Sequence, residues 1–64
     1  MRRDGRVLKG FHVQYRNHIT GESTPEYYRI DVFGSVHEVD EYARLTSLQK
    51  GDGWYVDDIT EEWL

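Results

Sequence analysis

A chain of 64 residues makes one domain, and a domain of this size buries only about 60% of its unfolded surface, which leaves it marginally stable. It has no cysteine, excluding disulfides and cysteine–zinc staples, and no apolar run long enough for a membrane span or a signal peptide, so a soluble cytoplasmic protein is expected. The net charge of −4 is uneven: residues 1–37 hold six Lys/Arg against four acids, a local +2, whereas residues 38–64 hold two against eight, a local −6.

Residues 1–5 are polar and read as a frayed N-terminal arm, although Arg2 and Arg3 are also the kind of residues a nucleic-acid arm carries. From residue 7 to 16 the pattern alternates. Phe11, Val13 and Tyr15 share one face and His12, Gln14 and Arg16 the other, which is a half-buried strand. Strict alternation would bury Lys9 and expose Leu8. A bulge near Gly10 would reset the parity and turn Leu8 inward; a straight strand with Val7 inside and Lys9 snorkelling is the alternative.

Residues 17–25 are a loop by composition, with Thr20 and Gly21 near its tip. Pro25 cannot donate to a ladder and therefore opens an edge strand over residues 26–33. Tyr28, Ile30 and Val32 are the core set of that strand, with Phe33 placed to tuck under the helix that follows. Tyr27, Arg29, Asp31 and, by strict alternation, Phe33 face the other way, the tuck of Phe33 under the helix depending on where the chain turns.

Residues 35–51 are the one segment with a helical start, face and stop. Ser35 is an N-cap and Glu38 completes a Ser-x-x-Glu capping box, with the Glu38 carboxylate reaching back to the Ser35 N–H. At about 100° per residue, Val36, Val39, Tyr42, Ala43 and Thr46 form the apolar face. Leu48 points away from that face, so the helix is expected to loosen before it. Lys50 suits the C-terminal end of the dipole, and Gly51 suits a stop with positive φ.

Gly51 to Gly53 read as a turn, and residues 54–59 as a third strand with Trp54 and Val56 inward. Asp58 would be buried by strict alternation, so the strand is expected to end or twist after Val56. Residues 60–64 then form a C-terminal tail resembling a first helical turn capped by Thr60. Trp63 and Leu64 either dock on the core or contact a partner.

The resulting fold class is α+β: a small single domain over residues 1–64, of β-β-α-β order. Its three-stranded antiparallel sheet has strand order 2-1-3, with one helix packed on one face. The other face stays open and carries His12, Gln14, Arg16, Tyr27, Arg29 and Tyr55. Tyr and Arg on such a face are typical anchors for a protein partner, and aromatics there can also stack single-stranded nucleic acid.

A second candidate surface is an acidic rim and tail: Asp57, Asp58, Glu61, Glu62 and Trp63. Small acidic proteins of phages and plasmids can occupy the basic nucleic-acid-binding surface of a host nuclease or CRISPR complex, because that surface attracts a row of carboxylates. The analogy is one of size and charge. The acidic C-terminal half argues against phosphate binding, which needs clustered Lys/Arg.

No spacing matches a zinc or calcium site, His37 and Glu41 being an isolated i, i+4 pair. No Gly-rich phosphate loop or Ser-His-Asp constellation is present, and so short a chain leaves little room for a pocket in which carboxylate pKa values could be shifted for acid–base work. The expectation is a non-enzymatic binding module without cofactor or metal. Its first partner class is a protein and its competing class nucleic acid, and Trp63, Leu64 or an edge strand can pair two copies.

Overall fold

A computed structural model describes residues 2–3 and 6–64, with side chains from Val7 onward. The elements are β1 (Arg2–Arg3), β2 (Arg6–Asn17), β3 (Ser23–Arg29), α1 (Val36–Lys50) and β4 (Trp54–Trp63). The three long strands form an antiparallel sheet with β2 in the centre, β3 on one side and β4 on the other. This is the expected 2-1-3 order with one helix on one face. The two-residue β1, antiparallel to the start of β2, adds a short hairpin. The remainder of the expected N-terminal arm, residues 1, 4 and 5, lies outside the described residues.

β2 supplies most of the core. Leu8, Phe11, Val13 and Tyr15 are buried, joined by Val39 and Ala43 from α1. The parity change from Leu8 to Phe11 comes from a bulge against β4 between Leu8 and Gly10. Lys9 is exposed, so the bulge turns the leucine in and the lysine out.

β3 is shorter than the sequence suggests. It ends at Arg29, whose carbonyl accepts from both Val32 N–H (3.0 Å) and Phe33 N–H (3.2 Å). The chain is by then leaving the sheet toward α1, so Val32 is exposed rather than part of the core. Phe33 takes the inward place. Its ring lies 5.4 Å from Tyr28 and 5.0 Å from Tyr42, and the three aromatics join the end of β3 to the helix. Pro25 sits inside β3, opposite Gln14, not at its start. The flanking bonds Ile30 N–H to Lys9 O and Asn17 N–H to Glu22 O leave Pro25 at a position facing away from β2, where a missing N–H removes no ladder bond.

The helix begins as the capping box requires, with one change. Ser35 Oγ accepts from Glu38 N–H at 3.3 Å, but the Glu38 carboxylate accepts from Gly34 N–H at 2.8 Å rather than from Ser35 N–H. The buried stripe is Val39, Ala43 and Ser47, spaced i, i+4, i+8. Val36 and Tyr42, both expected inside, are exposed. Small residues along this stripe allow the helix to lie close on β2 and β4, its main contacts. α1 continues through Leu48 to Lys50, since an exposed leucine remains a good helix former. Gly51 stops it with φ 116°, a conformation that favours glycine.

β4 departs most from expectation. Residues 60–64 form no helical turn; the strand runs on to Trp63, passing through a bulge between the pairs Gln14–Asp58 and Tyr15–Val56. The extra residue, Asp57, leaves both aspartates exposed and restores Ile59 to the inner face. Trp63 packs half-buried against the core, and Leu64 N–H donates to Val7 O at 2.7 Å while its side chain stays exposed.

Candidate functional site

The pairing register arranges the open face in four cross-strand rows: Arg29–Gly10–Glu62, Tyr27–His12–Thr60, Pro25–Gln14–Asp58 and Ser23–Arg16–Tyr55. All six residues expected on this face, His12, Gln14, Arg16, Tyr27, Arg29 and Tyr55, are brought together there. The helix side of the sheet carries Leu8, Phe11, Val13, Tyr15, Tyr28, Val56, Ile59, Glu61 and Trp63.

Charges on the open face are matched. The Glu62 carboxylate accepts from His12 Nε2 at 2.7 Å and lies 3.4 Å from Lys9 Nζ. The His12 hydrogen bond, and then the Lys9 charge, hold the Glu62 carboxyl below the usual carboxylate range. Arg16 Nε lies 3.4 Å from Asp57, and Arg29 donates to Asp31 at 2.8 Å. Tyr27 leans on His12 with ring centroids 4.8 Å apart, and Tyr55 stands 6.3 Å from His18. Two half-exposed tyrosines therefore flank a ladder of paired charges.

The acidic rim divides between the two faces. Asp58 and Glu62 belong to the open face, and Asp57 reaches Arg16 on it, whereas Glu61 and Trp63 belong to the helix side. Asp58 accepts from the Thr60 hydroxyl at 2.9 Å. The helix acids are likewise partnered: Asp40 with Arg44 at 3.0 Å and Glu41 with His37 at 3.0 Å. Among the described residues no three of His, Cys, Asp and Glu converge as a metal site would require.

The expectation that so small a fold lacks room for a pocket is overturned. A groove of about 700 Å³ runs between the C-terminal two-thirds of α1 and the first half of β4. It is lined by Asp40, Arg44, Ser47 and Leu48 on the helix and by residues 54–59 on the strand. The sequence gives no direct sign of it, because it depends on the bulge that keeps β4 alongside the helix.

Sequence reasoning also missed Asn17. This buried residue accepts Ile19 N–H (2.8 Å) and Thr20 N–H (3.0 Å) on Oδ1 and donates from Nδ2 to Asp52 O (3.2 Å). It ties the β2–β3 turn to the α1–β4 turn at one end of the sheet. An asparagine opening a turn rich in polar residues is the signal that could have found it.

Compared with family models, curated proteins and solved structures, the chain matches none. No helix among the described residues is long and apolar enough to cross a membrane.

Proposed function

We propose that this protein is a non-enzymatic binding module that recognises another protein through the open face of its sheet. The observation that carries this reading is the layout of that face: Tyr27 and Tyr55, each about two-fifths exposed at 41% and 37%, border a ladder of ion pairs on a surface that no described element covers. Half-exposed tyrosines bordered by polar groups give area and orientation together, as protein interfaces need. The matched charges favour a protein over nucleic acid. Lys9 and His12 share Glu62, Arg16 has Asp57 and Arg29 has Asp31, so among the described residues the open face leaves few cations for phosphates. The same pairing weakens the acidic-mimic reading, since Asp57 and Glu62 are engaged by cations within the fold.

The test is affinity capture from host lysate, with and without nuclease, using the wild-type chain and the variant Tyr27→Ala/Arg29→Ala/Tyr55→Ala. A partner that survives nuclease and escapes the variant supports the reading. Capture that disappears with nuclease transfers it to nucleic acid, and capture that the variant retains removes the sheet face from consideration.

A further inference from the structure

The groove beside α1 lies along a strand edge that no other described strand occupies, because β4 pairs only with β2. The register shows which backbone groups face outward. Gly53 O accepts from His18 N–H, and Arg16 and Gln14 face Tyr55 and Asp58 at the positions that bond toward β2. The N–H and C=O groups of Trp54, Val56 and Ile59 therefore point away from β2, along the outer edge of the sheet. The side chains of these three residues are half-buried and form an apolar floor, and Leu48, 75% exposed, forms the opposite lip.

The rim is acidic. Asp40, Asp57 and Asp58 line it; Arg44 bonds Asp40 and Arg16 lies 3.4 Å from Asp57, which leaves one carboxylate in excess, Asp58, without a basic partner among the described residues. The β4 bulge is the reason Asp57 and Asp58 stand exposed at adjacent positions on the lip. A bulge on an edge strand also breaks long, register-free pairing, so this edge resists indiscriminate addition and suits a short segment chosen by its side chains.

We propose that the groove receives a short extended peptide segment of a partner protein in which apolar and basic residues alternate, added alongside β4. In an added strand, alternate side chains point to opposite faces. One set fills the space between Leu48 and the Val56–Ile59 floor, and the other meets Asp58 and, in competition with Arg16, Asp57. Nucleic acid is disfavoured because its phosphates would meet the same carboxylates. This site uses the helix side and outer edge of β4 and shares Tyr55 and Asp58 with the open face, whose Tyr27 and Arg29 lie outside it, so a variant at those two separates the readings.

The probe is a short fluorescein-labelled peptide of alternating valine and lysine, titrated into the full chain and read by fluorescence anisotropy and by amide shifts. Binding with shifts at residues 44–48 and 54–59, and binding at least about tenfold weaker for the valine–glutamate peptide, is the expected result; two exposed ion pairs account for a difference of that order. Leu48→Arg, a change at an exposed position, should also weaken binding about tenfold or more by filling and repelling at the lip. Methylation of alternate backbone nitrogens should abolish it. Tyr27→Ala/Arg29→Ala, at two open-face residues that do not line the groove, should leave it unchanged. Equal affinity for the two peptides, no binding of either, shifts confined to residues 10–16, or tolerance of backbone methylation would overturn the proposal.

Discussion

Gly10 lets two neighbouring strands and one side chain share the same space. A Cβ added there would lie 2.5 Å from the Tyr28 carbonyl oxygen and 2.6–2.8 Å from the end of the Tyr27 ring. The backbone oxygen cannot move without disturbing the β2–β3 ladder, so Gly10→Ala should destabilise the protein by ~1–3 kcal/mol in urea unfolding. It should also shift Tyr27 off His12, visible as a changed His12 ring resonance. Two titrations belong to the same scale. Burial and then the Tyr15 hydroxyl, 2.9 Å away, push Tyr28 well above its ordinary value of 10.0. The folded state holds that proton more tightly than the unfolded state does. Stability is thus intact below the ordinary tyrosine range and declines as pH rises through it, and Tyr28→Phe should flatten that alkaline limb. For Glu62 the direction is opposite. Its carboxyl titrates below the usual range because of His12, so His12→Ala should move its NMR titration midpoint upward.

At the scale of elements, the chain's periodicities identified β2 and α1 and failed where a bulge or a turn interrupts them. The bulge near Gly10 was legible as one of two readings, because Leu8 and Lys9 have opposite demands that a bulge satisfies, and the exposed Val7 rules out the straight strand. The second bulge was not, because Asp57 and Asp58 are both polar and say only that alternation stops. The same two residues either end a strand or bulge it, and the apolar Ile59 and Trp63 beyond them carry the difference. Candidate residues on the open face were legible for the same reason as β2: their parity follows from the buried set. The groove was not, since it needs the path of β4 beside α1. Two substitutions separate the observed strand from a dangling tail. Trp63→Ala should cost ~2 kcal/mol or more by removing area packed on the core, whereas Leu64→Ala, at an exposed side chain, should stay within about 0.5 kcal/mol. For α1, Ser35→Ala should cost ~1 kcal/mol, as expected for loss of an N-cap acceptor, read as a lower thermal midpoint.

For the whole molecule, the decisive fact is how narrowly the core is built. Among the described residues six hydrophobic ones are buried, and four of them, Leu8, Phe11, Val13 and Tyr15, come from the single strand β2. A domain of this length has roughly 3–10 kcal/mol of stability in total. Phe11→Ala, at a fully buried ring, removes ~3–5 kcal/mol and should leave little or no cooperative thermal transition in near-UV circular dichroism. The milder Val13→Ala should still fold with a lowered midpoint. A fold so close to its threshold reports on its ligands, because anything that binds only the native state adds to its stability by mass action. The valine–lysine peptide at a hundredfold excess over its Kd should contribute ~2.7 kcal/mol and restore much of the midpoint lost in Val13→Ala. Tyr27→Ala/Arg29→Ala should show the same peptide-induced rise, since neither residue lines the groove that Leu48 borders. Leu48→Arg should show almost none. A rise of equal size in Leu48→Arg would mean that the peptide stabilises the native state from somewhere other than the groove.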